Sequence, residues 1–236
     1  MKTVAIIQAR MGSTRLPGKV LKDLGGKTVL VHVIERVKSA GVDVVVATTD
    51  KPEDAAIEKE ALKNGAKVFH GSEDDVLSRY YFAAKETEAE LIIRITSDCP
   101  LYDGELLKDM LEYYKGEDYL SNTIERRFPR GLDTEIFTFK ALEKSHLNAK
   151  DKFQREHVTP YIYQNPELFK IRQYKRQPNL STMRWTLDTE EDWQMISAVY
   201  KALYHGKTFS TVDVVNYLEA HPEVAKLNAH IEQKKS

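Results

Sequence analysis

The sequence predicts an α/β fold, doubly wound around a mostly parallel sheet, with a smaller α+β portion toward its C-terminal end. Three observations carry this. Strand-like and helix-like patterns alternate through the first half of the chain, as βαβ units do. The strand-like runs are β-branched and continuously apolar, as strands buried on both faces are. After Asp118 the regular alternation stops, and short strands mix with helices.

Taken in order, "TVAIIQ" and "VDVVVATT" read as buried parallel strands. Between them "KTVLVHVIERVKSAG" repeats apolar residues at helical spacing and stops at Gly41. "KPEDAAIEKEALKNG" is a second helix, with Pro52 in its first turn, acids after it, and Gly65 at its end. "KVFHG" is a third strand and "EDDVLSRYYFAAKETE" a third helix. "AELIIRITSDCP" runs from a fourth strand into a loop, and "DGELLKDMLEYYKG" is a fourth helix. Beyond Asp118, "DYLSNT" and "DTEIFTFK" are strands on either side of the arginine-rich turn "IERRFPRGL". "KALEKSHLN" and "KFQREHVTPYIYQ" are helical, while "ELFKIRQYK" alternates like an antiparallel strand. "TMRWTLDT" leads to a helix starting "EEDWQ", with Thr189 as its N-cap, and "VDVVNYLEAHP" is a final helix.

The chain of 236 residues is 42% hydrophobic and 30% charged, enough apolar content for a packed core under a well-charged surface. Cys99 is the one cysteine, so no disulfide can form within the chain, which fits a reducing compartment. The opening "MKTVAIIQAR" has four consecutive apolar residues, too few for a signal peptide, and no run approaches a membrane span. A cytoplasmic protein without a membrane partner is expected. A net charge of −1 gives no footprint for nucleic acid. Within that balance, residues 1–49 carry eight Lys/Arg against three Asp/Glu, and residues 121–180 twelve against seven. Between them, residues 50–118 carry nine against eighteen.

The first basic segment has motif context. "QARMGSTRLPGK" follows the first strand, where open α/β sheets bind ligands. Gly12 and Gly18 permit close backbone approach, successive N–H groups can form an anion nest, and Arg10, Arg15 and Lys19 add permanent charge. The combination suits a polyphosphate; a solvated surface turn is the bland alternative. Neither familiar phosphate loop is present: five residues separate the glycines, Val20 follows the lysine, and G-x-G-x-x-G is missing.

"IIQARMGSTRLPGKVL" resembles the opening motif of the cytidylyltransferases that make CMP-activated sugars, the family of the CMP-KDO and CMP-sialate synthetases. Within it, the resemblance is to the branch called spore coat polysaccharide biosynthesis protein F. It continues in order through "VVVATTD", "FHGSEDDVLSRYYFAA", "LIIRITSDCPLYD", "SNTIERRFPRGLDTEIF", "REHVTPYIY" and "RWTLDTEEDW". The resemblance implies a Rossmann-like nucleotidyltransferase domain over residues 1–236, with a nucleotide-binding half (1–118) and an acceptor-binding and C-terminal portion (119–236). It implies Mg2+, with CTP as substrate, a sugar or small anionic acceptor, pyrophosphate as product and, as is common in the family, a homodimer.

By the same resemblance Arg10, Gly12, Ser13, Arg15 and Lys19 hold the triphosphate, and Gln8 and Ala9 belong to the nucleotide site. Ala47, Thr48 and Thr49 meet the base from one side and Gly71, Ser72, Asp75 and Arg79 from the other. A surface i,i+4 ion pair is an equal reading of Asp75 and Arg79. Asp98 and Asp188, ninety residues apart, are the expected metal ligands, since magnesium takes one or two carboxylates plus substrate phosphates. Arg10, Arg15, Lys19, Asp98 and Asp188 form the expected catalytic set. Here "TEE" follows Asp188 where many family members have Thr-Pro. Cys99 lacks an activating partner in the sequence and reads as a small buried residue. On the acceptor side stand Asn122, Arg126, Arg130, Asp133, Glu135, Arg155, Glu156 and His157, the last two as positioning or proton-accepting groups or as braces of a helix–strand junction. Arg127 stands where related sequences often differ, so no role is assigned to it. Three other functions stay open: a GTP- or UTP-dependent transferase acting on a sugar 1-phosphate, a non-catalytic nucleotide-binding module of a polysaccharide assembly, and a glycosyltransferase.

Overall fold

The computed structural model describes residues 1–232. Its first half alternates as the patterns predict: β1 (Thr3–Gln8), α1 (Val29–Lys38), β2 (Asp43–Thr49), α2 (Ala55–Lys63), β3 (Lys67–Gly71), α3 (Val76–Glu86), β4 (Leu91–Thr96) and α4 (Gly104–Tyr113). β5 (Tyr119–Ser121) and β6 (Glu135–Thr138) flank the arginine-rich turn. Then come α5 (Phe139–Asn148), α6 (Lys152–His157), α7 (Pro160–Tyr163) and β7 (Ile171–Gln173). α8 (Glu190–Leu203), α9 (Thr211–Ala220) and the short α10 (Pro222–Ala225) complete the described chain.

All seven strands join one sheet in the order β3-β2-β1-β4-β6-β5-β7. β6 is antiparallel to both neighbours, and every other pairing is parallel. Side chains alternate between faces with period two. Ala5 and Ile7 of β1 enter a core with α1, α2, α4, α8 and α9, while Val4 and Ile6 enter one with α3, α5 and α7. Both faces are covered, which is why the strands read as unbroken apolar runs. Among the described residues, no helix is long and apolar enough to cross a membrane.

Three segments depart from the sequence reading. "KFQREHVTPYIYQ" is two short helices, broken at Val158, whose φ is 72°; Pro160 opens the second, where its missing N–H costs nothing. β7 is parallel to β5. Its alternation reflects half-burial at a sheet edge, and half-burial carries no information about direction. "TMRWTLDT" is extended but forms no strand of the sheet among the described residues, making an isolated bridge between Arg130 and Arg184 and a Leu187 N–H bond to Asp98 O, so Asp188 ends an extended segment and not a strand.

Candidate active site

The loop after β1 is held from within and from below. Ser13 N–H bonds Met11 O at 2.7 Å, Ser13 Oγ accepts from Leu16 N–H at 3.3 Å, and Gly18 supplies the left-handed turn at φ 66°. The buried Asp54 accepts Met11 N–H at 2.7 Å and also takes the Thr49 hydroxyl, tying the loop to the end of β2. The loop turns Lys19 inward, where it is buried, and leaves Arg10 and Arg15 exposed at the rim. Arg10 reaches Glu73 at 3.2 Å, and Arg15 reaches Asp188 at 3.0 Å.

Lys19 is the hub. Its ammonium donates to Asp98 Oδ2 at 2.7 Å, Leu187 O at 2.7 Å and Asp188 Oδ1 at 2.8 Å, using all three of its protons. Burial alone would lower its pKa, but the two carboxylates outweigh burial and hold it above the ordinary lysine value. Burial likewise pushes Asp98 up, and Lys19 pulls it back below its ordinary value. Asp98 O also accepts Leu187 N–H at 2.8 Å, locking the end of β4 to the segment that carries Asp188. The structure therefore brings together two carboxylates that lie far apart in sequence.

A second layer fixes Asp188. Its Oδ2 accepts from Arg184 at 3.1 Å as well as from Arg15. Arg184 grips Asp192 at 2.9 Å through both Nε and Nη2. Asp192 closes a capping box with Thr189, the predicted N-cap, and accepts Asp188 N–H at 2.9 Å and Asn228 Nδ2 at 2.8 Å. Neither Arg184 nor Asp192 was singled out in the sequence, although an arginine four residues before the aspartate was a signal in itself.

At the ends of β1 and β2, the side chains of Gln8 and Thr48 each bury an oxygen, Oε1 and Oγ1, that has no hydrogen-bond partner among the described residues. They lie at the ends of adjacent strands, Gln8 pairing in register with Ala47. The carbonyl of Thr49 is engaged by His70 Nδ1 at 3.1 Å. Ser72 O accepts from Arg79, which is buried in β3's shadow with its pKa lowered by that burial. Asp75 does not pair with Arg79. It caps α3 through Ser78 N–H at 2.9 Å and binds the guanidinium of Arg155, Nε at 3.0 Å. The structure thus joins a residue expected at the nucleotide to one expected at the acceptor.

A cavity of about 490 Å³ opens beside this centre, lined by Arg94, Thr123, Ile124, Arg126, Asp133, Glu135, Phe153, His157, Thr159 and Tyr163. Four of these were expected: Arg126, Asp133, Glu135 and His157. Arg126 pairs with Asp133 through two bonds at 2.5 and 2.9 Å. Arg94 donates to Glu135 at 2.5 Å, across the β4–β6 register, and its Nε is buried without a partner among the described residues. Glu135 also accepts from Thr159 at 2.6 Å and from Tyr119. Burial, with the Arg94 charge acting in the same direction, keeps the His157 pKa below its ordinary value.

Four expected residues stand outside the lining. Asn122 is buried and stitches the turn, donating to Leu132 O at 2.8 Å and accepting from Thr134 N–H at 2.9 Å. Arg130 is half-buried, and burial together with the nearby charges of Arg126 and Arg184 lowers its pKa. Arg155 serves Asp75, and Glu156 is exposed. Arg94, missed in the sequence, had a visible signal: it is the charge inside the apolar strand "LIIRIT". Cys99 is buried, and burial raises its thiol pKa well above the ordinary value.

Among the described residues, no cluster of three or more His, Cys, Asp and Glu is placed to hold a metal ion. Asp98 and Asp188 nonetheless converge on one cationic group. Two carboxylates with room for substrate phosphates is the donor set magnesium uses, so the residues fit that ion.

Residues 4–230 match the model of the family described as Cytidylyltransferase. The chain is 35% identical over 232 residues to the spore coat polysaccharide biosynthesis protein SpsF of Bacillus subtilis (strain 168), covering 93% of this chain and 95% of that one. A solved cytidylyltransferase structure from Leptospira borgpetersenii serovar Hardjo-bovis aligns with a TM-score of 0.93 at 39% identity, covering 99% of this chain and all 100% of that one. The CMP:2-keto-3-deoxy-manno-octonic acid synthetase complexed with CTP aligns with a TM-score of 0.66 over 86% of this chain and 99% of that one; at 22% identity this is a likeness of fold.

Proposed function

Because this chain belongs to the cytidylyltransferase family, we propose that it joins the cytidylyl group of CTP to a sugar or other small hydroxylated acceptor and releases pyrophosphate. The α/β sheet is that of the nucleotidyltransferase fold. The observation that carries the reading is Lys19, shared by Asp98 and Asp188 beneath a loop that presents Arg10 and Arg15.

An acceptor oxygen attacks the α-phosphorus in line. A new oxygen–phosphorus bond forms as the bond to the bridging oxygen breaks, and the electron pair leaves with pyrophosphate. Arg10, Arg15 and Lys19 stabilise the charge that grows on the leaving group. Asp98 and Asp188 would hold Mg2+, which supplies Lewis-acid stabilisation of phosphate oxygens. The orphaned Gln8 Oε1 and Thr48 Oγ1 suit donors on the nucleotide. His157 lines the cavity, and burial lowers its pKa, which favours the neutral imidazole that can accept the acceptor's hydroxyl proton. The relationship to the Bacillus spore coat protein supports a product destined for surface polysaccharide.

Thermal unfolding with Mg2+ and each of CTP, UTP, GTP and ATP tests the nucleotide. CTP at about a hundred times its Kd should add about 2.7 kcal/mol, and each kcal/mol moves the midpoint by about 2–4 °C for a chain of this size. A shift with GTP or UTP alone would keep the chemistry and replace the nucleotide. No shift with any of them would refute the proposal.

The cavity side has its own test. Arg94 and Arg126 each already hold a carboxylate, Glu135 and Asp133, so the lining offers forked donors and hydroxyls with little net charge, a surface suited to a polyhydroxylated acceptor. Arg94→Lys keeps the charge but loses the fork. It should raise the KM for any acceptor identified by pyrophosphate release by about tenfold, with the CTP-induced thermal shift unchanged. An unchanged acceptor KM would remove Arg94 from acceptor binding.

A further inference from the structure

We infer that Lys19 is the resident cation of the Asp98–Asp188 pair, so that a divalent metal enters this site with the nucleotide and not ahead of it. The inference deepens the nucleotidyl-transfer reading and rests on it only for which nucleotide does the loading.

Geometry comes first. The ammonium sits within 2.7 and 2.8 Å of the two carboxylates and is pinned from a third direction by Leu187 O at 2.7 Å. Asp98 keeps Oδ1, which meets Cys99 Sγ at 3.5 Å, but a cation shared with Asp188 has to compete with Lys19 for Asp188 Oδ1 and sit beside its ammonium. Asp188 offers no spare oxygen, since its Oδ2 already accepts from Arg15 and Arg184.

Charge comes second. Three carboxylates, Asp98, Asp188 and Asp192, are bonded to three cations, Lys19, Arg15 and Arg184. The cluster is electrically balanced, so nothing in it attracts a dication strongly; magnesium in particular gives up its waters reluctantly. A triphosphate changes that balance. Lys19 and Arg15 belong to the loop that faces the polyphosphate, and Lys19 has a long flexible stem ending in a point charge. When its ammonium turns to the phosphates, Asp98 and one oxygen of Asp188 are released together. The same movement thus delivers positive charge to the leaving group and opens the carboxylates.

The test is a Mn2+ titration without nucleotide, with free Mn2+ read by electron paramagnetic resonance, on wild type, Lys19→Met, Asp98→Asn and the Lys19→Met/Asp98→Asn double variant. Wild type should bind no Mn2+ beyond what Asp98→Asn binds. Lys19→Met should gain one site about tenfold or more tighter than any in wild type, because the carboxylate pair is left uncompensated. The double variant should lose that site. The Lys19→Met thermal midpoint should rise with Mn2+ while that of wild type does not. A site in wild type that depends on Asp98 and forms without nucleotide would overturn the inference, and this arm stands even where Lys19→Met fails to fold. So would a folded Lys19→Met that binds Mn2+ no better than wild type. If no nucleotide shifts wild-type unfolding while Lys19→Met gains the site, the nucleotide reading falls and the place of Lys19 stands.

Discussion

Asp98→Asn should lower pyrophosphate release by about a hundred- to a thousandfold, the range for removing one preorganised group of a charge-stabilising site. The fold should survive it. Asp98 lies on the loop leaving β4, its backbone carbonyl still accepts Leu187 N–H, and Lys19 keeps Leu187 O and Asp188 as partners. Asp188→Asn should lose as much turnover but also stability, because Asp188 serves Lys19, Arg15 and Arg184 at once and two of those cations are buried. Pyrophosphate assays beside circular dichroism and thermal midpoints separate the two effects. Near-normal turnover in a folded Asp98→Asn enzyme would sink the catalytic assignment.

Gly131→Ala should damage both stability and turnover. Gly131 has φ +107°, and an added Cβ would lie 2.7 Å from Trp185 C and 2.8 Å from both Thr186 N and Trp185 O. These are backbone atoms of the segment that carries Arg184 and Asp188, bound to the turn through Arg130 N–H to Met183 O at 3.1 Å and Trp185 N–H to Arg130 O at 2.6 Å. No side chain can swing aside, so the segment itself must shift. We expect a loss of about 3 kcal/mol or more, which lowers the midpoint by about 6–12 °C. Turnover should fall about a hundredfold, since displacement of a catalytic group by about 1 Å has that effect. Gly116→Ala is the control: its φ is +94° with nothing within 4 Å of the added carbon, so it reports the conformational cost alone. Equal losses in the two variants would show that close approach at Gly131 is not the cause.

What the sequence disclosed and what it hid divide along physical lines. The alternation of β1 to α4, the Thr189 cap, and the family to which seven ordered blocks point are local signals, written in periods and short motifs. The side-chain partnerships are not. Arg94 meets Glu135 only because β6 inserts between β4 and β5 and sets that register. Asp75 has a helical neighbour at the right spacing in Arg79, yet tertiary packing gives it Arg155. Asp54 looked like one acid among several at a helix start, and only the fold shows it holding Met11 and Thr49. The direction of β7 was equally out of reach, since an edge strand half-exposed on both faces looks the same in either orientation.

β6 carries one more consequence. Laid against the grain of its neighbours, it begins where they end, so Glu135 arrives at the same edge of the sheet as Gln8, Thr49 and Thr96. The turn feeding it, residues 123–133, overhangs that edge, and its two ends are clasped by Asn122 and Thr134. Between those clasps the turn is anchored toward one end and open toward the other. Arg130 and Gly131 are fixed against the segment that carries Asp188, whereas Thr123, Ile124 and Arg126 line the cavity, so changes of length or charge near residues 123–126 would alter the cavity wall and leave the Asp188 segment in place.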